Sequence, residues 1–271
     1  GSGTFGWGVF LTNNADSNTF RNCTFEIPQN ATTTNFAGIV IGSSATSLTT
    51  AGNAMCDGNL FDNNVVRGGY CGISALGSND LLNQNNIFTN NTIEDFYIYG
   101  IYIGRSNNSL IENNIIRRPG RASVSTFYGI YSTGVSYNLK ISKNRIYNAF
   151  GALPTSTSAT YGMYFTASDA SETEPIIVSN NLMYNFNGAG TTYGIYNSSS
   201  DNTKFYHNTI SLDNTANTGT TLTYGFYQIT AAVGLDFKNN IVTVTRGGTG
   251  AKYGFYFSTA TTEFVSNNNN F

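Results

Sequence analysis

A glycine followed by an apolar residue recurs along this chain at nearly constant intervals. The copies begin at Trp7-Gly8-Val9, and the later ones have a tyrosine on each side, as in Tyr128-Gly129-Ile130-Tyr131. The nine glycines are Gly8, Gly38, Gly72, Gly100, Gly129, Gly162, Gly194, Gly225 and Gly254, spaced 28 to 34 residues apart. A period of this length indicates structural repeats that stack on one another. Most recurrent residues are then needed for stacking. Residues with a catalytic or binding role are therefore expected at positions that depart from the repeat.

A second motif lies inside each period: an apolar residue, two further residues, an asparagine, one residue and another apolar residue. In the copy from Ile141 to Ile146 the asparagine is Asn144. The seven asparagines at this position are Asn64, Asn91, Asn114, Asn144, Asn181, Asn208 and Asn240. In a straight strand the two apolar residues would point to opposite faces, because their separation is odd. Both can reach one core only if the chain bends between them.

Asparagine suits such a bend because it tolerates left-handed backbone. Its amide can also donate to one neighbour and accept from another. The sequence therefore predicts a buried ladder of asparagines at one corner, with a structural role. Cys23 takes the asparagine position in the first copy, where we expect it to fill space, and the last copy, near Asn267, is cut off by the chain end.

Equivalent strands of successive periods run the same way, which predicts parallel pairing. With its asparagine motif in each period, the chain resembles the right-handed parallel β-helix proteins of the pectate-lyase-like group. The resemblance covers essentially all 271 residues. It implies an all-β fold, a single-stranded right-handed parallel β-helix of about nine rungs, forming one domain over residues 1–271.

The Tyr-Gly-Ile-Tyr copies and the loops rich in Thr, Gly and Ser resemble β-helix regions of very large secreted or surface proteins of Bacteroidetes-type bacteria. This resemblance implies an extracellular or cell-surface location, type 9 secretion and flanking domains in the same parent chain. The chain opens on Gly1-Ser2-Gly3 and stops inside a rung, and no capping helix is visible at either end. Because solenoid ends need polar caps, we expect a fragment of a longer chain.

Composition excludes several classes of function. The net charge is −2 and only 10% of residues are charged, so the chain lacks the basic footprint of a nucleic-acid-binding protein. No apolar run approaches the length of a membrane span. Calcium-binding repeats, zinc spacings and phosphate loops are missing from the sequence, and we expect no metal and no cofactor. The partners that remain are a polysaccharide or another surface protein.

The three cysteines cannot all pair within one chain. Cys56 lies in the longest early insertion, and Cys71 precedes a rung glycine, so strand alternation points it inward with Ile73. A Cys56–Cys71 disulfide would staple the insertion in an oxidising compartment. Buried free thiols that pack as small hydrophobes are the alternative that we favour.

Polysaccharide-cleaving β-helices supply the enzyme hypothesis. Lyases need clustered carboxylates to hold calcium and a basic residue, and hydrolases need aspartates paired across a cleft. The 15 acidic residues here are scattered over different rung positions. The single histidine, His207, precedes a ladder asparagine, and we expect it to face solvent.

The weak catalytic candidates are Arg118, Arg121, Glu94 and Asp95. The stretch from Arg117 to Arg121 resembles the Arg-x-Pro-x-x-Arg stretch of pectate lyases, but its last arginine comes one residue early. Stacking Ile93 on Ile116 puts Glu94 over Arg117 and Asp95 over Arg118, with Arg67 above Glu94. Opposite charges on neighbouring strands stabilise each other. We therefore favour structural ion pairs over catalysis.

Tyrosines form two columns that flank the rung glycines. The trailing tyrosine column, predicted to point outward, comprises Tyr102, Tyr131, Tyr164, Tyr196, Tyr227 and Tyr256. The leading tyrosine column, Tyr99, Tyr128, Tyr161, Tyr193, Tyr224 and Tyr253, is predicted to point inward. Exposed stacked aromatics could support sugar rings, with Lys140, Lys143 and Arg145 extending a basic patch beside them. Alternatively, and this we favour, the loops at residues 119–127, 149–160 and 213–223 cover the rings.

The sequence thus favours a non-catalytic structural or adhesive segment of an extracellular bacterial protein. If the segment binds a ligand, we expect a glycan along the trailing tyrosine column. Lys143 and Arg145 complete the candidate ligand-binding residues. A polysaccharide lyase or glycoside hydrolase of the β-helix type is one alternative. A phage-type glycan-binding fibre is another.

Overall fold

The computed structural model describes residues 4–260 and 262–271, so Gly1-Ser2-Gly3 and Thr261 lie outside the described residues. Within these ranges the chain winds through four parallel sheets. Sheet A contains Gly6–Leu11, Phe36–Ile41, Cys71–Leu76, Tyr99–Gly104, Phe127–Thr133, Thr160–Thr166, Thr192–Asn197, Thr223–Gln228 and Lys252–Phe257. Sheet B contains Thr19–Arg21, Leu60–Asp62, Ile87–Thr89, Leu110–Glu112, Lys140–Ser142, Ile176–Ser179, Thr203–Tyr206, Leu235–Lys238 and Phe264–Asn267.

The other two sheets are shorter. Sheet C contains Thr24–Glu26, Val65–Arg67, Thr92–Glu94, Ile115–Arg117, Arg145–Tyr147, Leu182–Tyr184, Thr209–Leu212 and Ile241–Val244. Sheet D contains Asn83–Gln84, Ser106–Asn107 and Ser136–Tyr137. The first eight turns pass from sheet A to sheet B and then to sheet C, with sheet D between A and B in three of them. In the ninth turn, Asn270 makes a single bridge to Ile241 at the end of sheet C. This is the predicted right-handed parallel β-helix of nine turns.

The core lies inside the sheets and is built from inward-facing apolar side chains. A three-residue strand supplies one of them, such as Ile116, and a longer strand supplies two, such as Ile101 and Ile103. Ile111 and Ile116, which flank the ladder asparagine in one turn, are both completely buried. The chain therefore bends between them, as their odd spacing predicts. Stacking places like residues on one another, so that Ile101 pairs with Ile130 and Phe61 stacks on Phe88.

The rung glycines allow successive turns of sheet A to approach closely. A Cβ on Gly129 would lie 2.5 Å from the carbonyl oxygen of Gly162 and 2.6 Å from a methyl carbon of Ile146. Gly129 therefore faces the interior, and the next residue, Ile130, is also buried in the core. Two consecutive inward positions break the alternation of the strand. As a result, Tyr128 and Tyr131 lie on the same outer face, where their rings meet edge to face at 5.2 Å.

The prediction that the leading tyrosine column points inward is therefore wrong. Cys71, at the equivalent position, does not point inward either. It packs outside sheet A in a second apolar cluster with Leu48, Leu76 and Tyr102. Cys56 belongs to the main core instead. The two thiols are free, as favoured from the sequence, and burial raises the pKa of each.

Candidate functional site

The asparagine ladder at the corner between sheets B and C is confirmed. Asn114 is completely buried, and both its backbone N–H and its Nδ2 donate to Oδ1 of Asn144, each at 3.0 Å. Its Nδ2 also donates to the carbonyl oxygen of Phe88 in the previous turn, at 2.9 Å. In the last turn, Oδ1 of Asn269 accepts from Asn240. The last copy, expected near Asn267 to be cut off, therefore still contributes a ladder asparagine. Cys23 donates its backbone N–H to Asn64.

The left-handed backbone at this corner belongs to the residue before each ladder asparagine, which corrects the expectation from sequence. Asn180, for example, has a φ of 57°. Lys143 and His207 occupy the same position, each with a φ of 56°. The imidazole of His207 is exposed, as predicted. The ladder asparagine itself is thus free to use its whole amide between turns.

A second, shorter ladder at the entry to sheet B was missed. Asn18 donates to Oδ1 of Asn59, and Asn59 donates to Oδ1 of Asn86, at 2.9 to 3.1 Å. Each lies five residues before the position of the main ladder, which is the spacing that would have revealed it. Ser109 ends this ladder, and its buried Oγ makes no hydrogen bond in the structure.

Charged residues form a column along the outer face of sheet C. Glu94 pairs with Arg67 of the previous turn, with Oε1 and Nη2 2.6 Å apart, and with Arg117 of the next turn, with Oε2 and Nη2 2.8 Å apart. Arg67 also binds Glu26, and Arg117 donates to the hydroxyl of Tyr147. The predicted stacking of Glu94 between two arginines is confirmed. This column joins five successive turns.

Asp95 does not pair with Arg118, so that part of the prediction is wrong. Asp95 leaves the strand in the left-handed conformation, with a φ of 56°, and its Oδ1 accepts the backbone N–H groups of Gly120 and Arg121. Arg118 is completely buried. It donates to the carbonyl oxygens of Ala149, Tyr97 and Ser125 at 2.6 to 2.9 Å.

Arg121 is also buried and bonds to backbone carbonyl groups of other turns. Its guanidinium donates to Gly69 and Asp95, each at 3.0 Å, and to Ala31, which lies 90 residues earlier in the sequence. Burial lowers the pKa of Arg118 to about 9 and that of Arg121 to about 10. Both guanidinium groups are thus bonded inside the protein, where they bind loops of several turns together.

The two tyrosine columns form continuous stacks on the outer face of sheet A. Successive rings of the trailing tyrosine column lie nearly parallel, with centroids 4.6 to 5.2 Å apart. The leading tyrosine column stacks in the same way, at 4.6 to 5.4 Å. Each ring face is therefore covered by the ring above or below. A ligand outside the rod would meet ring edges and hydroxyl groups, which argues against sugars lying flat on these rings.

Exposure varies along the columns. Tyr102 and Tyr196 are each 9% exposed, whereas Tyr253, at the last described turn, is 37% exposed. Near the first turns the loop that carries Leu48 covers the outer face: Leu48 packs beside Tyr102, and its carbonyl oxygen accepts the hydroxyl of Ser74. This covering segment is not among the three loops expected from sequence. In the later turns, the tyrosine rings are buried chiefly by the neighbouring tyrosine rings.

The basic candidates lie on another side of the rod. Lys143 sits at the corner between sheets B and C and pairs with Glu112, Nζ to Oε1, at 3.0 Å. Arg145 begins a strand of sheet C and lines a groove with Asn90 and Asn113. Lys140 is exposed on sheet B. The expectation that these residues extend the tyrosine face is wrong, because the tyrosines lie on sheet A.

Two further observations bear on possible functions. Within residues 4–260 and 262–271, no three His, Cys, Asp or Glu side chains come together as metal ligands would. The same part of the chain contains no helix long and apolar enough to cross a membrane.

Nine parallel turns with a buried asparagine ladder define a parallel β-helix protein. A family model described as "Right handed beta helix region" matches residues 7–210, and the chain belongs to this family. The family includes lyases, hydrolases and structural or adhesive proteins, so membership alone does not select a function. A search of curated proteins gave no match, and a search of solved structures gave none.

Proposed function

We propose that this chain is a non-catalytic structural and adhesive segment of an extracellular or cell-surface bacterial protein. In this role it is a rod that spaces or presents other parts of its parent chain. The parallel stacking of nine turns supports the rod, and the outer tyrosine face supports contact with a polysaccharide.

One observation carries the non-catalytic half of the proposal: the candidate catalytic side chains are bonded between turns. Arg118 and Arg121 are buried with donors directed at backbone carbonyls. Glu94 is 5% exposed and held by two arginines. A base or acid must come within hydrogen-bonding distance of its substrate, and these groups are directed into the protein instead.

Incubation with polygalacturonate and alginate, each with and without calcium, tests this half. We expect neither unsaturated uronate products nor new reducing ends, while a pectate lyase run in parallel gives both. Turnover that co-elutes with the folded protein through two different chromatography steps would overturn the proposal.

The adhesive half rests on the edges of the trailing tyrosine column. Its rings repeat once per turn, at 4.6 to 5.2 Å, and each presents an apolar edge and a hydroxyl group. A polysaccharide lying along the rod would meet one such edge per turn. Tyrosine combines apolar contact with hydrogen bonding and loses little conformational entropy on binding. Lys143 and Arg145 offer a separate surface for an anionic group.

Glycan arrays test the adhesive half with three proteins: the wild type, the triple variant Tyr131→Phe/Tyr164→Phe/Tyr227→Phe, and the double variant Lys143→Gln/Arg145→Gln. Phenylalanine keeps the stacked rings and removes only the hydroxyl groups. We expect the triple variant to lose binding that the double variant retains. Equal binding by all three would remove the tyrosine edges from the proposed site, and loss only in the double variant would move the site to the corner between sheets B and C.

A further inference from the structure

The two tyrosine columns are joined into one network of ring contacts. Within each turn the two rings meet edge to face, as Tyr161 and Tyr164 do at 5.2 Å. Diagonal contacts add a link to the next turn, as between Tyr161 and Tyr196 at 5.4 Å. The stacks described above supply the remaining contacts. Twelve phenol rings are thereby connected without interruption from Tyr99 to Tyr256.

Packing of sheet A does not by itself require a tyrosine at each of these twelve positions. Apolar side chains of the core hold the same turns together, and Ile or Val, which also favour strands, could occupy the tyrosine positions. What tyrosine adds is a phenol, which gives up an electron far more readily than an aliphatic or a benzyl side chain. Rings in van der Waals contact provide the orbital overlap through which an electron passes to a neighbour.

Burial keeps the phenol groups of these tyrosines protonated. It raises the pKa of Tyr128 and of Tyr193 to about 12, so both rings are neutral phenols in the resting protein. At the last described turn Tyr253 is 37% exposed, and a proton released there reaches water directly. The network thus has a half-buried middle and an end open to solvent.

We propose that the tyrosine face carries one-electron oxidising equivalents along the rod. An external one-electron oxidant, such as a ruthenium(III) polypyridyl complex, takes an electron from an end phenol. The phenolic proton passes to water, which leaves a phenoxyl radical and ruthenium(II). The radical then takes an electron and a proton from the next phenol, which restores the first tyrosine and moves the radical one ring further.

Because the two columns run side by side, electron transfer past a given turn should stop only when both tyrosines of that turn are replaced. Replacing Tyr161 alone leaves the path through Tyr131, Tyr164 and Tyr196 intact, with contacts of 4.9 and 4.6 Å. Replacing Tyr164 alone leaves the path through Tyr128, Tyr161 and Tyr193, with contacts of 4.8 and 4.6 Å. Replacing both with phenylalanine leaves no phenol in this turn, so the phenols of the turns on either side no longer have a phenol between them.

The experiment places the oxidant at one end and detects the radical at the other. A ruthenium complex is attached at Ala251→Cys, an exposed position beside the last tyrosines, in a Cys23→Ser background. Flash oxidation is performed with chloropentaamminecobalt(III) as the electron acceptor, which decays to aqueous cobalt(II) and releases no oxidising radical. A nitroso spin trap captures the protein radical, and peptide mass spectrometry locates the adducts. A dilution series separates transfer within one molecule from transfer between molecules.

We expect adducts at the partly exposed Tyr99 and Tyr131 in the parent protein, with little change in Tyr161→Phe or Tyr164→Phe. In the double variant these distant adducts fall by about tenfold or more, because the flanking phenols are then about 9.6 Å apart instead of about 4.8 Å. The variant Tyr147→Phe/Tyr184→Phe removes a stacked pair from sheet C and serves as the control. Adducts confined to Tyr253 and Tyr256 in the parent protein, or unchanged distant adducts in a folded double variant, would overturn the proposal.

Discussion

Asn181 directs two donors at a single acceptor: its backbone N–H and its Nδ2 lie 3.0 and 2.9 Å from Oδ1 of Asn208. Its Nδ2 also donates to the carbonyl oxygen of Ile141, at 2.9 Å. One amide thus joins three successive turns at a buried corner, where an unpaired polar group would be costly.

Replacing Asn181 with alanine should lower the free energy of unfolding by about 1–3 kcal/mol, because buried backbone groups of the neighbouring turns lose their partners. Urea denaturation measures the change. Asn180→Gly is the matched control, since Asn180 is exposed and glycine tolerates its φ of 57°. An equal loss in both variants would mean that the corner depends on backbone conformation and not on the ladder.

Replacing Ser109 with asparagine should stabilise the protein. Asparagine at this position would extend the second ladder, accept from Asn86 and fill the place where the serine Oγ makes no hydrogen bond. A gain of about 0.5–1.5 kcal/mol is expected from one added network of hydrogen bonds. Ser109→Ala, which only removes the hydroxyl, is the comparison. If the asparagine variant unfolds at lower urea concentration than the alanine variant, the corner does not accept another amide.

Replacing Gly129 with alanine should cost about 3 kcal/mol or more, because the new Cβ overlaps the backbone of the next turn and the core. A Cβ on residue 129 would lie 2.5 Å from the carbonyl oxygen of Gly162. Gly42→Ala is the control, since the nearest atom to its Cβ is 4.0 Å away. Similar melting temperatures for the two variants would contradict the close approach of turns in sheet A.

Protonation of Asp62 should account for part of the loss of stability in acid. Donation from Asn90, and then from Arg21, holds the pKa of Asp62 below its usual range. The unfolded chain therefore binds the proton more readily. The contribution is fully present above the ordinary aspartate pKa of about 3.9 and is lost as the pH falls through the lower folded value. Denaturation at several pH values should show a smaller acid loss for Asp62→Asn than for the wild type, and identical losses would rule out this contribution.

The features that follow from spacing could be predicted from the sequence, namely the parallel turns, the main ladder and the position of Glu94 between arginines. Each depends on one residue recurring at a fixed place in the repeat. The direction of Tyr128 could not be predicted in this way, because the glycine that follows it breaks strand alternation. The partners of Arg118 and Arg121 are backbone carbonyl groups, and these leave no signal in the residue types. The second ladder could also have been predicted, because Asn59 and Asn86 each lie five residues before an asparagine of the main ladder.

We claim that side chains suited to chemistry hold successive turns together, and a double-mutant cycle between Glu94 and Arg117 measures this effect. The variants are Glu94→Gln, Arg117→Met and their combination, with unfolding in urea measured for all four proteins. Glu94 is almost buried and Arg117 is 35% exposed, so solvent screens part of the attraction. We expect a coupling free energy of about 1 kcal/mol or more between the two residues. A coupling of zero within error, with both single variants as stable as the wild type, would contradict the claim.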